Sequence, residues 1–175
     1  MRIDPIAGWL VLLPFALGIA RAAETVPESL APPAGLKRAM ELKATGVQIY
    51  HCGRPKGADA ASAPVWVFDA PRATLVDANG QPAARHYAGP TWEAADGSRI
   101  TGKVAAHVDA PEAGAIAWLL LKAESAGVAG RFDPVRSVQR LFTSGGAAPT
   151  GACAREGEAL EVPYRALYVF WAESK

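Results

Sequence analysis

The chain has 175 residues, half of them hydrophobic and a fifth charged, with 18 basic against 17 acidic side chains. That length suits a single domain able to bury a core without a metal or many disulfides. A net charge of +1, with no run of basic residues, gives nothing to draw the chain to nucleic acid or to an anionic membrane surface.

The first segment reads as a leader. Arg2 precedes an apolar run from Ile6 to Ala20, and Ala20-Arg21-Ala22 has the small-x-small form of a signal peptidase site. The expectation is a signal peptide over residues 1–22 and export to the periplasm or the extracellular medium. The run is too short to span a bilayer, which takes roughly 20 apolar residues, and Pro14 and Gly18 interrupt it. No cysteine follows the expected cleavage, so no lipid anchor is expected. Without Arg2, Arg21 and Asp4 the charges stand at 16 basic and 16 acidic. Residues 23–35, with Pro27, Pro32 and Pro33, read as a tether ahead of one domain over residues 36–175.

Leu36 to Lys43 carries Leu36, Ala39, Met40 and Lys43 at helical spacing, so a short N-terminal helix ending at Gly46 is expected. From there the pattern is β. Val47 to His51 alternates, and a small-residue loop follows over residues 53–63. Val65 to Phe68 is a strand that Pro71 should break, and Ala73 to Val76 is another. Asn79-Gly80 marks a tight turn because both residues tolerate positive φ. Ala83 to Tyr87 returns from it, and Thr91 to Glu93 leads into a second turn at Asp96-Gly97. Arg99 to Val108 is a long strand with Gly102 read as a bulge. Ile116 to Lys122, Val135 to Thr143 and Leu160 to Trp171 complete the set. The fold class expected is all-β, a single antiparallel β-sandwich or barrel. No βαβ unit or Gly-rich phosphate loop is present, which argues against a nucleotide fold.

Cys52 and Cys153 are the two cysteines. An even count in an exported chain points to one disulfide, here closing a loop of about 100 residues. A reactive thiol beside His51 and Arg54 is the lesser reading.

The stretch from His86 to Ser98 holds a histidine, two aromatics, two glycines, a proline and two carboxylates. His86 near Glu93 or Asp96 has the makings of a general base oriented by a carboxylate. It equally suits a strand histidine packed on Trp92. Asp96 before Gly97 is a turn former first. Tyr87 and Trp92 flank Gly89-Pro90; they belong either to the core or to a stacking surface for a flat ligand. Arg140 offers a fork for a carboxylate, in the protein or in a ligand. His51, His86 and His107 lack short ligand spacing, so no metal is expected, and no Gly-x-Ser-x-Gly elbow supports a serine nucleophile.

Together the residues resemble one secreted family of bacteria and fungi, domain of unknown function 3455. The likeness runs through Gly46 to Tyr50 with Cys52, Trp66 with Phe68, Ala70-Pro71, Leu75, Gly80 and the 86–98 segment. It continues in Trp118 to Leu121, Gln139-Arg140, Thr143, Gly145-Gly146, Pro149, Cys153, and Val162 to Tyr168. It covers about Leu36 to Trp171 and implies an exported domain with no assigned chemistry. Some fungal members carry a malate dehydrogenase label, which the missing dinucleotide fingerprint argues against here.

The functional expectation is a binding or structural module for a small polar, carbohydrate or protein ligand, without a cofactor, without nucleic acid and without stable membrane insertion. Its surface would centre on His86, Tyr87, Trp92, Glu93, Asp96 and Arg140. The alternative is a hydrolase or isomerase using His86 with Glu93 or Asp96. A pocket in which His86 faces a carboxylate favours the enzyme, and a flat exposed aromatic patch favours binding. A His86 buried and bonded only to backbone removes both versions of that site.

Overall fold

The structure, a computed structural model, describes residues 25–174. The expected leader, residues 1–22, lies outside the described residues. The chain forms eight antiparallel strands: β1 (Leu36–Gly53), β2 (Val65–Val76), β3 (Pro82–Tyr87), β4 (Thr91–Ala94), β5 (Arg99–Val108), β6 (Trp118–Ser125), β7 (Val135–Gly145) and β8 (Ala159–Glu173). Each pairs with the next, and β8 returns to β1, closing an up-and-down barrel. Between a sandwich and a barrel, closure decides for the barrel.

The expected helix at Leu36–Lys43 is a strand instead. Met40, Leu42 and Ala44 alternate inward with period two, and the segment pairs along β8 from Leu36↔Glu173 to Ala44↔Ala166. Partners more than a hundred residues away outweigh the weak local helix preference. The one helical turn among the described residues is a 3-10 turn at Glu28–Leu30. It lies in the segment read as a tether, which docks on the barrel. Leu30 is buried in an outer cluster with Trp118, Leu141 and Val169. Gln139 clasps it there, donating from Nε2 to the Leu30 carbonyl (2.6 Å) and accepting from Trp171 Nε1 (2.8 Å).

Pro71 does not break its strand; β2 runs through it, opposite Gln48 of β1. Pairing of β2 with β3 begins only at Ala73, so at Pro71 the strand lacks a partner on that side and the missing N–H costs no ladder bond. The bulge in β5 falls between Val104 and Ala106 rather than at Gly102. Gly102 makes room for Trp92, since a Cβ there would stand 2.8 Å from the indole ring.

The two ends differ. At one, the β6–β7 loop folds inward and Phe132 is wholly buried against Phe170, ring centroids 4.8 Å apart. The turn before β5 pins that loop: Ser98 Oγ accepts from Phe132 N (3.0 Å), and Asp96 Oδ2 accepts from Arg131 N (2.9 Å). At the other end the short β3 and β4 leave a low wall, and the interior stays open. The expected Cys52–Cys153 disulfide is present there, joining the end of β1 to the β7–β8 connection.

Candidate functional site

The open end holds a cavity of about 620 Å³. Its rim comes from Phe68 and Asp69 on β2, Gly89-Pro90 in the β3–β4 turn, Ala115 to Ala117 before β6, and Ala147-Ala148 after β7. Deeper in, Gln48, Tyr50, His86, Trp92, Leu121, Arg140 and Tyr168 line it. These deep residues are inward positions of their strands, so period-two alternation on six strands brings them to one chamber.

His86 stacks on Trp92, its cross-strand partner, at 4.3 Å and 9° between planes, with Tyr168 edge-on at 5.3 Å. Its Nδ1 lies 2.8 Å from the Thr91 carbonyl. A carbonyl only accepts, so Nδ1 carries the proton of the neutral ring and Nε2 is left as an acceptor. Burial pulls its pKa down to about 4, partly opposed by the Thr91 carbonyl and furthered by the Arg140 charge. At neutral pH the imidazole is uncharged.

The segment 86–98 therefore splits across the barrel wall. His86 and Trp92 face in. Tyr87 and Glu93 face out, where Glu93 accepts from the Tyr87 hydroxyl (2.7 Å) and from Arg85 Nη2 (2.9 Å). Those two bonds, the tyrosine's first, hold the Glu93 carboxyl below its ordinary pKa. Asp96 belongs to the turn at the closed end, its pKa lowered first by the Ser98 hydroxyl and then by the backbone N–H of Arg131. Neither carboxylate meets His86, whose one hydrogen bond among the described residues is to backbone. The geometry assembles neither the His86–carboxylate pair nor an exposed Tyr87–Trp92 patch. An outer depression of about 710 Å³ does carry Tyr87, Glu93 and Arg85, but their charges are paired with one another. Among the described residues no group of three or more histidine, cysteine or acidic side chains is placed to hold a metal.

Arg140 projects inward from β7. Its Nε and Nη2 donate to the Ala117 carbonyl at 3.1 and 2.9 Å. Just beyond it β7 bulges between Leu141 and Ser144, and Phe142 takes φ 49°, a strained conformation for a bulky residue. Thr143 Oγ1 fastens the bulge to the Ile116 carbonyl at 2.5 Å. The bulge re-aims the chain at the rim, beside the one charged side chain of the deep chamber.

Sequence reasoning does not single out three further liners as site residues. Tyr50 donates to the Gly146 carbonyl (2.7 Å), and its phenol pKa is raised by burial. Tyr168 is raised for the same reason, opposed by the Arg140 charge. Gln48 is 2% exposed, and its Nε2 has no acceptor among the described residues. Trp92 Nε1 shares that condition; a third such donor, Trp118 Nε1, sits in the outer cluster. The signal that could have found them is strand alternation, which puts Gln48 and Tyr50 on the same face.

Comparison with curated proteins and with solved structures returned no match. The model of one family, described as a protein of unknown function (DUF3455), matches residues 32–172, which include every strand but the last residue of β8. The chain belongs to that family.

Proposed function

We propose that the protein is an exported binding barrel that holds one small organic molecule in its open end. The observation that carries this reading is the chamber itself: apolar and aromatic walls with a buried, unpartnered Gln48 amide in its lining. Eight-stranded barrels are just wide enough to hold one small ligand, and about 620 Å³ falls within the usual range for such sites. A concave chamber suits a small molecule better than a protein surface. The leader pattern and the Cys52–Cys153 bridge support export. The neutral His86, with no carboxylate beside it, gives no support to acid–base catalysis.

The test is fluorescence titration with 1-aminoanthracene, a neutral amphipathic probe. Saturable one-to-one binding is expected, and Ala148→Trp at the rim should weaken it at least about tenfold, the order of one lost contact, while leaving thermal unfolding near that of the unaltered protein. Probe binding untouched by Ala148→Trp, or no binding by the folded protein, defeats the reading.

A further inference from the structure

We infer that the ligand carries an acidic head, a carboxylate or a group of like geometry, which docks on Arg140. This rests on the chamber being a ligand site. Arg140 is the one charged side chain lining the chamber below its rim. None of the ion pairs among the described residues includes it. The other charged liner, Asp69 at the rim, is engaged by His51 Nδ1 at 2.6 Å.

A guanidinium has five N–H donors in a fixed fork, and it cannot shed its charge. Here Nε and Nη2 hold the Ala117 carbonyl, which fixes the fork's orientation, and the guanidinium also meets the Tyr168 hydroxyl, a neutral partner that leaves its charge uncompensated. An unpaired cation in an apolar chamber is the electrostatic complement of an anion. The remaining polar groups agree. The Tyr168 phenol beside Arg140 stays protonated, its oxygen 3.4 Å from the Tyr164 hydroxyl, so it sets no negative charge against an anion. A carboxylate is acceptor-only, so such a head matches the guanidinium N–H groups that the Ala117 carbonyl leaves over. The walls set the rest of the molecule: Leu119, Leu121, Ile116 and Val104 are aliphatic, and Trp92 and Phe68 are aromatic. The ligand class is an amphipathic organic acid, apolar body against the wall and acid at Arg140.

The experiment is displacement of bound 1-aminoanthracene by octanoate and by methyl octanoate, which share a body and differ in charge. Octanoate should displace the probe at a concentration at least about tenfold lower, the order expected of a charge-assisted hydrogen bond. Arg140→Gln should erase that preference, octanoate and its methyl ester then displacing the probe at concentrations within about twofold of each other. Equal displacement by acid and ester, or a preference for the ester, overturns the acidic head while leaving the chamber as a binding site. A preference that survives Arg140→Gln overturns the role of Arg140. The acid–ester comparison on the unaltered protein decides the matter even where Arg140→Gln fails to fold. Failure of the probe itself to bind overturns both this inference and the binding reading beneath it.

Discussion

The closed and open ends of the barrel are built from the same eight strands yet are stabilised in different ways. The closed end is filled by apolar side chains. Phe132, Phe170, Val135 and Ile100 fill it, and the buried Ser98 and the exposed Asp96 spend their oxygens on the loop that covers it. The open end has a disulfide where the closed end has a plug, and among the described residues it keeps a cation in no ion pair and a buried amide N–H with no acceptor. One end is optimised for packing. The other tolerates unfavourable groups, which the proposed binding role accounts for.

Three measurements would sharpen or break that contrast. The largest effect should come from the open end's staple. Reduction of Cys52–Cys153 frees a loop of 101 residues and should lower stability by about 4.7 kcal/mol in the chain-entropy account, read as a shift in the denaturant midpoint. A negligible shift would mean that the open end is held by its strands alone. At the closed end, Phe132→Ala removes a wholly buried ring and should cost about 3–5 kcal/mol while leaving 1-aminoanthracene affinity unchanged. Loss of probe binding in the folded variant would show that the two ends are coupled.

The third effect is a pH dependence. His86 titrates near 4 in the folded protein against 6.5 when exposed. Between those values the unfolded chain binds the proton and the folded one does not. Stability should therefore be complete above about pH 6.5, fall by about 3 kcal/mol as pH drops toward 4, and lose nothing further to this group below that. His86→Phe, which keeps a ring over Trp92, should flatten that part of the pH profile. A profile unchanged by the substitution would place the titration elsewhere.

Several features are legible in the amino-acid sequence because their causes are local. Asn79-Gly80 turns where it should, although Gly80 alone of the pair takes positive φ (78°), and Asp77 accepts from Asn79 N and Gln81 N. Trp92 lies in the core, one of the two places its sequence context allows. Segments that carry the family resemblance supply much of the chamber, from Gln48 and Tyr50 through His86 and Trp92 to Arg140 and Tyr168. The candidate site is less legible. Residues 86, 87, 92 and 93 are close in sequence, but a strand sends neighbours to opposite faces, so His86 and Glu93 lie on two sides of one wall. Proximity along a strand is therefore poor evidence of proximity at a site.

The amino-acid sequence by itself determined the β class, the turns, the family and the cysteine pair, since alternation, turn chemistry and residue identity act within a few positions. Only the tertiary structure decided that the sheet closes, that Leu36–Lys43 is a strand, and that Arg140 stands in a chamber rather than on a surface. Each of these depends on pairing between distant segments. β1 meets β8 across more than a hundred residues, and that contact settles which face of every strand is inside.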